Sequence, residues 1–357
     1  MSAGGDGRAA ASGGLVDCDV HVAPPTIDRL LPYLDGYWRE FLDAAGFVIP
    51  DGPAFTYPPG APTSRRPGLD ASAGATLESV RADVLARDGV DLAILTCYYG
   101  IETPRNPGFT AVLARAVNDW LVAEFLDLEP RLRASLVVPV QHPEVAAAEI
   151  DRIGGHPGFV QVLFPARGER PYGHQCHAPI YEAALRQGLA IGLHYGGLSI
   201  NPTSPTGWHT YHLEDYVGCT HVFQSQLTSI IVEGVFNRFP DLRFVLLESG
   251  VSWLPSLFWR LDKEWRGIRR EAPWINQAPS ITIRERMRAT IAPFDAPTTR
   301  EHLLQIVDQI GSDDFLLYAS DYPHNHDDGS GPQLLDCLPA DLAGRIRSAN
   351  ARAFYRL

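Results

Sequence analysis

Lysine is nearly absent from this chain of 357 residues. Among 30 basic residues only Lys263 is a lysine, and it sits in Arg260-Leu-Asp-Lys-Glu-Trp-Arg266, a charged helical stretch that reads as a solvated face. Schiff-base chemistry, a phosphate-loop lysine and a carbamylated lysine bridging two metals would each depend on that one residue, and all three are set aside. Cysteine is sparse too: Cys18, Cys97, Cys176, Cys219 and Cys337 show no C-x-x-C spacing, and their odd number fits no disulfide framework. A reduced, cytoplasmic setting is expected. No apolar run reaches the roughly 18 residues that a membrane-spanning helix needs. No glycine-rich phosphate motif follows a predicted strand, so no nucleotide cofactor is indicated. Positive charge is in deficit, with 42 Asp+Glu against 30 Lys+Arg and a net charge of -12. Non-specific binding to nucleic acid, which depends on basic patches, is therefore not expected. Residues 1–14 lack the apolar core of a signal peptide and read as a disordered tail.

What is present is ordinary globular material, with 45% hydrophobic residues and enough length for a large core. Short apolar runs recur at residues 15–21, 91–97, 134–139, 159–164, 190–194, 243–248, 288–293 and 315–321. They have strand length and lack polar alternation, as parallel strands buried on both faces should. Amphipathic helices are expected between them over 76–88, 110–128, 143–153, 178–187, 224–238, 253–270 and 298–310. Eight alternating strand and helix units predict an α/β fold, a (β/α)8 TIM barrel forming one domain over 15–357, with an open doubly wound sheet as the competing architecture. Two connections, about 22–75 and 195–222, exceed simple barrel loops and are expected to cover the C-terminal mouth, where barrel active sites lie.

Ligand-type residues fall at the ends of the predicted strands. The first run ends Asp17-Cys-Asp19-Val-His21, the fifth at His194, the sixth at Glu248 and the eighth at Asp321, followed by His324 and His326. Strand alternation places Asp17, Asp19 and His21 on one face, predicted to be the inside of the mouth. Any one of these is as readily a hydrogen-bonded structural residue, but four strand ends converging on one axis point jointly to a metal site. Carboxylates and imidazoles suit Zn, Mn or Fe, and no thiolate set is available for a structural zinc. His221, at the predicted start of the helix over 224–238, is a further candidate ligand, although a helix-start polar role is the simpler explanation. Blander readings cover His142, His174 and His177. Tyr98, Tyr99, Trp208, His209, Tyr211 and His212 are candidates for lining a substrate pocket. Arg65, Arg66, Arg105 and Arg167 are candidates for holding an anionic group.

The segments Val16-Asp-Cys-Asp-Val-His21, Gly234-Val-Phe-Asn-Arg-Phe-Pro-Asp-Leu242, Leu247-Glu-Ser-Gly-Val-Ser-Trp-Leu-Pro255, Ser320-Asp-Tyr-Pro-His324 and Asn350-Ala-Arg-Ala-Phe-Tyr355 resemble the amidohydrolase superfamily. The resembling branch is the amidohydrolase-related one that includes aminocarboxymuconate-semialdehyde and γ-resorcylate decarboxylases, and the resemblance runs from about residue 15 to the C-terminus. It implies a metal-dependent barrel in which Asp19, His21, His194 and Asp321 hold one divalent ion with an open water position. It also implies a histidine on strand six for proton transfer, where this chain has Glu248.

That departure leaves Glu248, His324 and His326, with His221 as a further candidate, beyond a complete one-metal set. With Glu248 bridging two ions, the expectation is a non-haem dimetal monooxygenase, using iron or iron with manganese, that hydroxylates a small molecule, with Glu248 and His324 as catalytic residues. The alternative is a metal-dependent hydrolase or non-oxidative decarboxylase acting on a small carboxylated substrate, with Mn or Zn. A catalytically dead barrel acting as a partner subunit is a third possibility. A homo-oligomer with a small-molecule substrate is expected.

Overall fold

The computed structural model describes residues 13–24, 26–45, 61–102, 104, 106–196, 201–295, 297, 299–326 and 334–357. Of the expected tail, only residues 13 and 14 are among them. Eight parallel strands run in sequential order: β1 Leu15–His21, β2 Val90–Thr96, β3 Leu132–Val137, β4 Phe159–Pro165, β5 Ala190–His194, β6 Phe244–Leu247, β7 Met287–Thr290 and β8 Leu316–Leu317. The eighth expected run forms a ladder of only two residues, but its extended continuation closes the sheet on β1. Cys18 N–H donates to Tyr318 O at 3.0 Å, His21 N–H to Tyr322 O at 2.7 Å, and Asp321 N–H to Asp19 O at 3.1 Å. The result is a (β/α)8 barrel.

The surrounding helices are α1 Gly36–Ala45, α2 Leu77–Val80, α3 Pro107–Leu121, α4 Pro143–Ile153, α5 Ala178–Gln187, α6 His212–Val232, α7 Val235–Arg238, α8 Leu254–Ile268, α9 Pro279–Arg286, α10 Arg300–Ile310, α11 Leu334–Cys337, α12 Ala340–Gly344 and α13 Asn350–Tyr355. Proline in the first turn opens α3, α4, α5, α8 and α9, where its missing N–H costs no helical hydrogen bond. Gly188 and Gly311 end α5 and α10 at φ 72°, the left-handed conformation that a Cβ would disfavour. The helix expected over 224–238 instead begins at His212. Its start is set by Glu214, which accepts the Thr210 and Tyr211 N–H groups at 2.8 and 2.9 Å. Gly218 and the exposed Leu213 and Val217 blur the apolar period over that first half. The long connection after β5 is shorter than expected for the same reason.

Two apolar cores result. The larger lies between the sheet and the helices. The smaller fills the barrel: Val16, Cys18, Leu92, Ile94, Val160, Ala190, Val245, Leu247 and Leu317 pack against Ala351, Phe354 and Tyr355 of α13. The last helix therefore plugs the floor, and the opposite, C-terminal end of the barrel remains for polar side chains.

Candidate metal centre

Strand ends deliver the polar residues. Asp19, His21, His194, Glu248, Asp321 and His324 are all at most 4% exposed, and they converge at the C-terminal mouth. Asp321 Oδ1 lies 2.9 Å from His21 Nε2 and 3.0 Å from His324 Nδ1. His194 Nε2 faces Asp19 Oδ2 at 3.3 Å, and His21 Nε2 is 3.8 Å from Asp19 Oδ1. Glu248 reaches between them, 3.8 Å from His194 Nδ1 and 3.8 Å from His324 Nδ1. Among the described residues two sets of ligand atoms are compact enough to hold an ion, His21 with Glu248, Asp321 and His324, and Asp19 with His21 and His194. His21 belongs to both, so they overlap.

Two backbone features aim these groups. Glu248 and Asp321 both have φ 53°, left-handed values that non-glycine residues seldom adopt. The turn breaks strand alternation just beyond β6 and β8 and swings each carboxylate into the mouth. Such conformations cost of order 1–3 kcal/mol each and persist where the surroundings hold them. In β1 the pairing register with β2 shifts between Asp17 and Val20, so the simple alternation expected across Asp17, Asp19 and His21 does not hold. Asp17 joins neither ligand set: its Oδ1 accepts from the N–H groups of Ser320 at 2.9 Å and Asp19 at 3.3 Å, and burial pushes its carboxyl up to about 7.

Neighbours orient the ligand-type side chains. His194 Nδ1 lies 2.5 Å from Tyr195 O, so it carries the proton and leaves the Nε2 lone pair facing Asp19. Thr96 Oγ1 donates to Asp19 Oδ1 at 2.6 Å. Asp19 Oδ2, His194 Nε2 and both Glu248 oxygens are buried with no hydrogen bond. Such groups are costly unless something absent from a bare chain completes them. An all-oxygen and imidazole donor set fits a divalent ion of the Mn or Zn kind.

The protonation states diverge. Burial, then the Asp321 and Asp19 carboxylates, push Glu248 well above the ordinary carboxyl range. Burial also opposes charge on Asp321 and Asp19, but neighbouring imidazoles outweigh it. His324 and His21 hold Asp321 well below its usual value, and His194 and His21 lower Asp19. In the metal-free chain Glu248 is thus biased towards its acid form, and Asp19 and Asp321 towards ionisation.

Of the eight expected metal-site residues, the structure brings together Asp19, His21, His194, Glu248, Asp321 and His324. His326 is half-buried and joins through Asp321 Oδ2. His221 does not join: the early start of α6 places it in mid-helix, exposed, beside a groove lined by Ser204, Gln224 and Ser225. Among the arginines, Arg66 is a brace. It donates to Ser320 O at 2.7 Å, His324 O at 3.2 Å and Asp88 Oδ2 at 2.9 Å, tying the first long connection to the β8 end. Arg65 is exposed, Arg105 lies outside the described residues, and Arg167 is buried. Tyr98 packs against His194 with ring centroids 5.6 Å apart, whereas Trp208, Tyr211 and His212 point to solvent. The contributions of Thr96 and the Tyr195 carbonyl carry no sequence motif; only their place at or just past a strand end marks them.

A closed parallel barrel with a buried Asp/His/Glu cluster at its C-terminal mouth defines a metal-dependent barrel hydrolase or lyase in type. The sequence profile of the Amidohydro_2 (amidohydrolase) family matches residues 16–357, and the chain belongs to that family. It is 23% identical over 269 residues to the γ-resorcylate decarboxylase of Rhodococcus jostii (strain RHA1), covering 69% of this chain and 77% of that one. Among solved structures it is similar to the 5-carboxyvanillate decarboxylase LigW of Sphingomonas paucimobilis, with TM-score 0.67, 19% identity and 96% and 99% of the two chains covered. It is also similar to a dihydroxybenzoic acid decarboxylase of Polaromonas sp. JS666 with bound manganese and the inhibitor 2-nitroresorcinol, with TM-score 0.65, 21% identity and 97% of each chain covered. At these identities the structural likeness establishes the fold.

The relatives correct the leading expectation from sequence. They are decarboxylases, so the dimetal monooxygenase is overturned, and iron is left without support beside a relative solved with bound manganese. The surplus of ligands that suggested a second ion is one overlapping cluster sharing His21, and Glu248, the expected bridge, favours its neutral acid form. Among the described residues no helix is long and apolar enough to cross a membrane.

Proposed function

We propose that this protein is a metal-dependent, non-oxidative decarboxylase of hydroxybenzoates, with Asp19, His21, His194 and Asp321 holding one divalent ion, manganese by preference. Glu248 carries the reading: a buried carboxyl with no hydrogen bond, biased to its acid form, at the rim of a cluster whose other carboxylates are biased to be ionised. When bound, the ion supplies positive charge that orients a carboxylate and a neighbouring phenolic oxygen. Glu248 delivers its proton to the ring carbon that bears the carboxylate. The carbon–carbon bond then breaks, carbon dioxide leaves, and the bonding electron pair restores the aromatic ring. Glu248 takes its next proton from water. His324, 3.0 Å from Asp321 and 3.8 Å from Glu248, favours the ionised form of Asp321. Burial of the cluster keeps bulk water away from the protonated ring.

The test is carbon dioxide release from 2,6-dihydroxybenzoate by manganese-loaded protein. The product formed in D2O should carry one deuterium at the vacated carbon. Chelation should stop turnover, manganese should restore it, and strictly anaerobic buffer should leave it unchanged. Absence of carbon dioxide release across 2-hydroxybenzoates, or indifference to chelation, would overturn the proposal.

A further inference from the structure

Beside the two residues that follow His194 stands a charged pair that no step above uses. Arg167 follows the end of β4 by two residues, and its N–H donates to Gly196 O, two residues past His194, at 3.2 Å. The side chain is 7% exposed, yet it spends only one hydrogen bond, from Nη2 to Asp215 Oδ2 on α6 at 2.9 Å. Its Nε and Nη1 are buried without a partner. Asp215 is equally enclosed. Its Oδ1 makes no hydrogen bond and lies 3.5 Å from His209 Nδ1, and the Tyr195 hydroxyl is 3.5 Å from Oδ2. A purely structural ion pair would need its leftover donors and acceptor satisfied, because buried polar groups left unpaired are destabilising. Here donors remain on one partner and an acceptor on the other, one residue from the His194 strand end.

We propose that Arg167 and Asp215 form a substrate-reading subsite that takes a second ring hydroxyl of the hydroxybenzoate. This rests on the decarboxylase reading above. A phenolic hydroxyl accepts from Arg167 and donates to Asp215, matching both unused groups. A second carboxylate matches only the arginine and would face Asp215. A bare or methylated ring position leaves the spare donors of Arg167 and the free Asp215 oxygen unpaired. A site built to hydrogen-bond a hydroxyl discriminates strongly against analogues lacking it. The expected order is dihydroxybenzoate first, 2-hydroxybenzoate next and 4-hydroxyisophthalate last.

The experiment measures calorimetric Kd and kcat/KM on manganese-loaded protein for 2-hydroxybenzoate, the four 2,n-dihydroxybenzoates and 4-hydroxyisophthalate. The wild type should favour at least one dihydroxybenzoate over 2-hydroxybenzoate by about 100-fold or more. Arg167→Met should reduce that preference to within about threefold, through loss on the dihydroxy ligand alone. Arg167→Lys should recover part of it. Asp215→Asn, which removes the charge and keeps an acceptor, should improve 4-hydroxyisophthalate relative to the others. If Arg167→Met fails to fold, the Lys and Asn variants carry the same comparison. Equal losses on every ligand, or no change in the ranking, would overturn the subsite. Binding keeps the two proposals apart: a ranking seen in Kd without carbon dioxide release supports the subsite and rejects the decarboxylase, while turnover with an unchanged ranking does the reverse.

Discussion

The two ends of one barrel interior treat polar groups in opposite ways. At the floor, Gln161 Nε2 donates to Ser135 Oγ at 2.8 Å and Gln161 Oε1 accepts from the Tyr355 hydroxyl at 2.8 Å. Each of these side-chain polar atoms has a partner, and Gly192 leaves room for the amide, since a Cβ there would come within 2.9 Å of it. At the mouth, Asp19, His194 and Glu248 are as deeply buried yet keep unpaired atoms. The same strands build both ends, so burial does not distinguish them; completion does. Polar groups that hold a fold together are closed among themselves, whereas those that act on a ligand are left open for it.

The largest effect that would test this contrast is at the mouth. His194→Ala should remove manganese, read as ion per chain by elemental analysis, and lower kcat/KM at least about 1,000-fold, because second partners of a ligand alone typically account for 10–100-fold. Full metal occupancy in this variant would place His194 outside the ligand set. Glu248→Gln should come next, cutting kcat by about 100- to 10,000-fold while leaving metal content unchanged. A variant that loses its metal instead would make Glu248 a ligand and not the proton donor.

His177 sharpens the rule, because it is an open buried polar group that belongs to neither ligand set. It is 4% exposed against Phe164 and Tyr172, and neither ring nitrogen has a partner. Burial, with the His174 charge, lowers its pKa to about 4. Between that value and 6.5 the unfolded chain binds the extra proton, so stability is present above 6.5 and is lost as pH falls towards 4. His177→Phe should remove up to about 3 kcal/mol of that acid-side loss, seen as a smaller fall in unfolding free energy from pH 7 to pH 4.5, with turnover at pH 7 unaffected. An unchanged slope would mean the ring is satisfied in solution. The smallest effect belongs to the floor: Tyr355→Phe should destabilise by about 1–3 kcal/mol, leaving metal content and kcat at the wild-type level. A drop in kcat would show that the two ends are coupled.

Much of this architecture was legible in the order of residues. Parallel strands buried on both faces announce themselves as unbroken apolar runs, and Asp19, His21, His194 and Asp321 stand at their ends. The geometry beyond the strands was not legible. Nothing in Leu247-Glu-Ser-Gly marks a left-handed Glu248, and Arg66 reads the same whether it binds a ligand or braces Ser320 and His324. His221 was misplaced because α6 starts at a cap, Glu214, and not at an apolar repeat. The chemistry went astray at Glu248 for a related reason. Counting ligand types is blind to protonation, and a buried carboxyl biased towards its acid form differs from a bridging carboxylate.

With Glu248 as the proposed proton donor, its left-handed turn would set this barrel's thermal robustness against its reactivity. Glycine there would relieve the backbone and remove an unpaired buried carboxyl, so Glu248→Gly is a substitution that a screen for heat resistance would favour. Such a screen, run without scoring turnover, would select barrels of higher melting temperature and no activity. Directed evolution of this chain therefore has to hold residues 248 and 321 constant and look for its gains in the outer helices.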